Sequence, residues 1–247
     1  FQGTVDFGGG ARVSAGSYDV IVARYDYAAG AHVWSNRYGS TGFDQGLAIA
    51  LDASSNVCVA GDFSLTVNFG GTPLVSAGLS DTFIAKYNSG GVHVWSKGAG
   101  STSNDYAYGI AVDGPGNVFA CGYFALTVNF GGSNLVSAGS QDIFLVGYDA
   151  AGNHQWSRNF GGTAGDYALG LAVDPAGSIA MTGYCLGAVD FGSGPLNTTS
   201  WQVYLARFDG NGTSLMSNAY GSTTTDIGRA AAFDPSGDVF IVGELAG

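Results

Sequence analysis

DYAYGIAVDGPGNVFACGYFALTVNF, residues 105–130, contains two short apolar runs separated by Asp-Gly-Pro-Gly-Asn. The runs, Gly109 to Asp113 and Asn117 to Phe124, are rich in Val, Ile, Phe and Tyr, which suit a pleated, packed surface. In the join, Asp113 caps the turn, Pro115 presets φ, and Gly116 supplies the positive φ required at the last position. The stretch therefore reads as two antiparallel strands and the turn between them.

The same stretch returns along the chain. Val5, Val67, Val128 and Val189 recur at spacings of 62, 61 and 61. Trp34, Trp95 and Trp156 recur at 61 and 61, with Met216 in the fourth place. Asp44, Asp105, Asp166 and Asp226 follow at 61, 61 and 60. Three independent markers agree on one period, so the chain is built from copies of a single supersecondary unit.

Each period holds four strands. Strand A is the GIAVD run and strand B the NVFACGYF run. Strand C is DIFLVGYD, Asp142 to Asp149, matching Asp19 to Asp26 and Asp81 to Asn88. Strand D carries the tryptophan, as in His93 to Lys97 and His154 to Arg158. A joins B, and C joins D, through tight Asp- and Gly-rich turns. B reaches C through a long insert, Ala125 to Gln141, whose TVNFGG and LVSAG runs predict a small hairpin of their own. D reaches the next A through a loop such as Gly100 to Asn104. Both long connections join the same ends of the strands and so emerge on one face.

Composition agrees. Forty-two glycines, 46% hydrophobic and only 11% charged residues fit an all-β chain of 247 residues with many tight turns. No window sustains an apolar stripe at period 3.6, so helix content is expected to be close to nil. The net charge is −11, with eight Lys and Arg, which leaves nothing to neutralise a row of phosphates, so neither nucleic acid nor an anionic membrane surface is expected as a partner. All but one of the acidic residues are Asp, a sign of turn chemistry; Glu244 is the exception. Cys58, Cys121 and Cys185 occupy non-equivalent places, which speaks against a disulfide framework or a zinc site and for buried free thiols. No apolar run is long enough to span a membrane as a helix, so no membrane insertion is expected. With no initiator Met and no signal peptide, the chain is expected to be a mature or excised piece.

A four-stranded meander at a fixed period is the signature of a β-propeller blade. The residues also resemble known blades. GIAVD followed by D-x-x-G-N looks like an NHL-type blade. The fuller pattern, Asp81 to Ser96 followed by Asp105 to Val118, resembles the SBBP-type repeat of bacterial secreted and surface proteins. The resemblance spans all four copies. The fourth departs most, with Gln202 for the strand-C Asp, Met216 for the Trp, and Arg229 in the inner strand. It implies a propeller and an extracellular or cell-surface, bacterial-type location, and it implies no particular reaction.

The expected architecture is a single β-propeller domain over residues 1–247, of four blades of about 61 residues. Residues 44–104, 105–165 and 166–225 each make one blade. Residues 1–43 supply strands C and D of a fourth, and 226–247 its strands A and B, so that strands from both termini close the ring. Leu245-Ala246-Gly247 aligns with Phe1-Gln2-Gly3, which equally suits a segment of a larger propeller or repeat array.

Chemistry-bearing residues follow the repeat. Asp44, Asp105, Asp166 and Asp226 start the inner strands on the face that carries the inserts. A ring of these carboxylates could hold an axial Ca²⁺; the alternative is that each caps its own loop. His32, His93 and His154 are one position in successive blades, held apart on the outermost strand, and cannot converge on an ion. Trp34, Trp95 and Trp156 read as packing between blades. Gly8-Gly9-Gly10, Gly70-Gly71 and Gly131-Gly132 precede no helix and no Lys-Ser/Thr pair, so they are not phosphate loops. With every His committed to the repeat, no nucleophile–base arrangement can be drawn; only Arg229 and Glu244 stand outside the repeat near the axis. The expected function is a non-enzymatic binding or adhesion module that presents loops to a protein or glycan ligand. The alternatives are a structural repeat that binds copies of itself in a filament, stalk or surface layer, and, less favoured, a propeller enzyme. No catalytic residues and no cofactor beyond Ca²⁺ are expected.

Overall fold

The structure, a computed structural model, describes residues 1–246. Gly247, the last residue of the expected closing strands, lies outside them. Among the described residues there are strands but no helix, and sheet pairing is antiparallel throughout.

The chain opens with a hairpin of β1 (Thr4–Asp6) and β2 (Ala11–Val13), then a two-stranded leading pair, β3 (Val20–Tyr25) and β4 (His32–Tyr38). Three complete four-stranded sheets follow. The first is β5 (Gln45–Leu51), β6 (Val57–Phe63), β9 (Asp81–Tyr87) and β10 (His93–Ala99), with a small hairpin of β7 (Thr66–Val67) and β8 (Leu74–Val75) between β6 and β9. The second is β11 (Tyr106–Val112), β12 (Val118–Val128), β13 (Leu135–Tyr148) and β14 (His154–Phe160). The third is β15 (Tyr167–Val173), β16 (Ile179–Asp190), β17 (Pro195–Phe208) and β18 (Ser214–Tyr220). A trailing pair, β19 (Ile227–Phe233) and β20 (Val239–Glu244), ends the described chain.

The insert is a separate hairpin only in the first two copies. In the second and third complete sheets it is a continuation of the second and third strands, bulged between Ala125 and Thr127 and between Cys185 and Gly187.

The sheets stack in chain order. The first strands β5, β11, β15 and β19 each contact the next. Apolar residues fill the space between sheets, with Phe119, Cys121, Leu145, Met181 and Phe208 all buried in one cluster between the second and third. This explains why both faces of strands A and B are apolar: each face meets a neighbouring sheet. The tryptophans latch the stack. Trp34 Nε1 donates to Ser89 O at 3.0 Å, Trp95 Nε1 to Ala150 O at 3.3 Å, and Trp156 Nε1 to Gly210 O at 3.0 Å, each reaching the C–D turn of the next sheet. The expectation of tryptophans packed between repeats is met.

The strand sharing expected between the two ends is not formed. Among the described residues β3 bonds only to β4, and β20 only to β19, so Val20–Tyr25 and Val239–Val242 are unpaired with each other. Packing is the physical reason. β3 is held on the first complete sheet and β19 on the third, at opposite ends of the stack.

Candidate functional site

The four aspartates expected at an axial mouth are buried, with exposures of 0–1%, and each serves its own loop. Asp105 Oδ2 accepts from Ser101 N at 2.6 Å and Ser101 Oγ at 2.9 Å, while Oδ1 accepts from Ala125 N at 2.8 Å. Asp44 repeats this with Ser40 and Ser64, Asp166 with Gly162 and Leu186, and Asp226 with Ser222 and Ala246. Each carboxylate thus staples the loop entering strand A to the start of the insert. Burial raises the pKa of Asp44, Asp105 and Asp166, and the hydrogen bonds from these amides oppose the rise. The structure does not bring the four together. Among the described residues, no group of three or more His, Cys, Asp or Glu could hold a metal ion.

A second set of buried aspartates sits at the start of strand C. Asp81 and Asp142 each accept one backbone N–H, from Ala77 at 2.7 Å and Ala138 at 2.9 Å. Asp19 does the same from Ala15 and also pairs with Arg37. Burial pushes Asp81 up to about 6.

The histidines lie at the rim. Each ring packs against the double glycine of its own insert: a Cβ added at Gly71 would lie 2.5 Å from His93 Cε1, and one at Gly132 at the same distance from His154 Cε1. The Gly-Gly pairs exist to admit an imidazole. All three cysteines are free and fully buried, with burial pushing the thiols of Cys58 and Cys185 up to about 12.

What the structure does assemble, at the end of the strands where loops and inserts emerge, is a file of tyrosines. Tyr106 and Tyr167 follow the stapling aspartates on β11 and β15; Tyr123 and Tyr184 stand opposite them on β12 and β16. Ring centroids run Tyr108–Tyr123 at 5.8 Å, Tyr106–Tyr123 at 5.3 Å, Tyr123–Tyr167 at 4.9 Å and Tyr167–Tyr184 at 4.6 Å. All five are half-buried. Trp201, 38% exposed, anchors its indole N–H on Gly165 O beside this file.

Two non-repeating charges flank it. Arg229, in the place held by Leu169 one copy earlier and by Tyr108 two copies earlier, pairs with Glu244 at 2.9 Å on the exposed side. Asp62, in the place of Tyr123 and Tyr184, is fully buried, and neither of its oxygens has a hydrogen-bond partner. Burial pushes its carboxyl up to about 7; Ser80 nearby offsets this only in part, and Asp44 adds to it.

Sequence reasoning picked out Arg229 and Glu244 but missed the tyrosines and Asp62. A signal existed. At the first and third positions of β5, β11, β15 and β19, and at the residue after the glycine of β6, β12, β16 and β20, the copies differ. The rings offer flat apolar faces with hydroxyl edges, suited to stacking against a ligand and bonding to it. Neither a histidine nor a cysteine reaches them.

No family model matches the chain. It is similar to an uncharacterized WD repeat-containing protein of Acanthamoeba polyphaga mimivirus, 29% identical over 62% of this chain and 13% of that protein. It is also similar to the regulatory protein FlaEY of Caulobacter vibrioides, 30% identical over 78% of this chain and 20% of that protein. The chain therefore spans a fifth or less of the length of the curated relatives it matches. The likeness to a repeat-containing protein agrees with the internal repeat and the stacked sheets. No helix among the described residues is long and apolar enough to cross a membrane.

Proposed function

We propose that this chain is a non-enzymatic protein-interaction module of β-propeller type, each four-stranded sheet being a blade, and that it acts outside the cell or at its surface. The tyrosine file carries the reading. Half-buried tyrosines on rigid strands supply contact area at little entropic cost, and aromatic residues are enriched where partners bind. The file spans two complete sheets and lies where the variable loops emerge. The WD repeat-containing relative and the resemblance to SBBP-type repeats support the propeller reading, and that resemblance also supports the location.

A peptide array and a glycan array probed with the 247-residue protein test the module. Peptide binding weakened tenfold or more by Tyr123→Ala is the expected result. Binding confined to glycans would transfer the same face to carbohydrate recognition. Silence on both arrays, or binding indifferent to Tyr123→Ala and Tyr167→Ala, would remove the tyrosine file as a binding surface.

A further inference from the structure

Strand C carries a base at one place in three of the four copies, and the second complete sheet breaks the pattern. Arg24, Lys86 and Arg207 stand in register with Trp34, Trp95 and Met216, whereas the residue opposite Trp156 is Gly147. Three of only eight Lys and Arg residues occupy this place, so the glycine is a marked departure.

Lys86 shows what the base does. Its Nζ lies 3.0 Å from Asp52 Oδ2, at the A–B turn of its own sheet, and 3.5 Å from Ala150 O, at the C–D turn of the next. Arg24 likewise donates to Ser89 O, in the equivalent turn, at 2.7 Å. Arg207 lies over the Phe233 ring instead. In the second sheet both acceptors are kept and the base is gone. Asp113, 7% exposed, accepts from Asn117 as Asp52 does from Asn56, but among the described residues no cation pairs with it. Gly210 O accepts from Trp156 Nε1 at 3.0 Å and lacks the second donor that Ala150 O and Ser89 O receive. The two acceptors are neighbours: a Cβ added at Gly177 would lie 3.6 Å from Asp113 Oδ2 and 3.8 Å from Gly210 Cα.

The place of the missing base opens into a cavity of about 320 Å³ between the second and third sheets, lined in part by Asn117, Phe119, Gly147, Asp149, Trp156 and Gly210. That is near the lower end for small-ligand sites. Phe119, standing where the first sheet has Cys58, takes up some of the room of a lysine stem, and the rest stays open. The Phe119 and Trp156 rings, 5.9 Å apart, give the cavity apolar walls, and the half-buried Asp149 adds a second carboxylate. Residue 147 cannot itself supply the cation without moving the indole, because a Cβ there would lie 2.9 Å from Trp156 Cε2.

We propose that this cavity binds a primary alkylammonium, the group carried by a lysine side chain. Its stem lies along Phe119 and Trp156, and its nitrogen takes the place of Lys86 Nζ, donating to Asp113 Oδ2 and Gly210 O. The net charge of −11 favours the approach of such a ligand. The site lies at the turn end of the strands, opposite the tyrosine file, and is independent of that surface.

NMR of the indole N–H groups in the 247-residue protein, titrated with n-butylammonium, tests this. The Trp156 signal, identified by its loss in Trp156→Phe, is expected to shift while those of Trp34 and Trp95 stay, and n-butanol, of similar shape without the charge, is expected to shift none. Asp113→Asn, which keeps an acceptor for the Asn117 amide, should weaken binding about tenfold or more. Asp52→Asn, where Lys86 already fills the place, should leave it unchanged. A capped peptide with one lysine separates the two sources of the group. A Trp156 shift with both probes supports a protein side chain as the ligand, and a shift with n-butylammonium alone supports a free amine. No Trp156 shift at millimolar n-butylammonium, or equal shifts with n-butanol, overturns the proposal, and neither result needs a variant that folds. Binding indifferent to Asp113→Asn overturns it too.

Discussion

The second complete sheet and the trailing pair have nearly the same strand pattern and opposite fates. β12 is buried over most of its length, while β20, its counterpart two copies later, is largely exposed. The strands pair with equal regularity to their first-strand partners. What differs is the neighbour. A sheet in this molecule is buried by the sheets on either side and by its own third strand, so a repeat's stability depends on what stands next to it.

Core truncation gives the largest test of that contrast. Phe144→Ala in β13, fully buried, should cost about 3–5 kcal/mol in denaturant unfolding. Phe240→Ala should cost less than about 0.5 kcal/mol in the dilute monomer, as surface substitutions usually do. A cost above about 2 kcal/mol for Phe240→Ala at low concentration would show that β20 is covered within a single chain.

Asp62 separates the first complete sheet from the other two, which carry tyrosine at the same place. Its carboxyl titrates near 7 when folded and near 3.9 when unfolded. Below pH 4 both states hold the proton and nothing is lost. Between pH 4 and 7 only the unfolded chain releases it, so stability falls by up to about 4 kcal/mol and is then level. Asp62→Asn should therefore raise the unfolding free energy at pH 8 and do little at pH 4. A gain that is the same at both pH values would mean that the carboxyl is not ionised against a burial cost.

The stapling aspartates should show the same gradient on a smaller scale. Asp105→Ala strips partners from two backbone N–H groups and the Ser101 hydroxyl in a fully buried setting, at about 2–3 kcal/mol. Asp226→Ala, whose partners Ser222 and Ala246 are exposed, should cost about 1 kcal/mol. Equal losses in thermal unfolding would show that the trailing loop is as enclosed as the internal ones.

Much of the fold was legible because it repeats. The period named the four strands, the tight turns and the inter-sheet role of Trp95, since each depends on residues within one copy or on the identical contact in the next. The stapling role of Asp105 was legible as one of two readings, and the loop amides of Ser101 and Ala125 decide between them. The tyrosine file was not legible for the opposite reason. Tyr123 meets Tyr167 only across a sheet boundary, and its counterpart Asp62 shows that the position carries no repeat-wide chemistry. The unpaired ends were misread because matching patterns in β3 and β20 say that the strands can pair, whereas packing on opposite ends of the stack decides whether they meet in one chain.

The smallest effect isolates the tryptophan latch. Gly152 and Gly30 both have positive φ, +83° and +63°, and both stand two residues before the strand-D histidine. An alanine at either place pays about 1 kcal/mol for the left-handed backbone. At Gly152 the new methyl also meets the Trp95 ring, 2.7 Å from Cγ, so the ring must shift and Nε1 must leave Ala150 O, adding about 1–2 kcal/mol. At Gly30 no ring is near in the monomer, so Gly30→Ala should cost about 1 kcal/mol and no more. The difference between the two variants in denaturant midpoint thus measures the latch with the backbone term cancelled. Equal costs at low concentration would mean that the indole yields without loss and that the latch contributes little to holding successive sheets together.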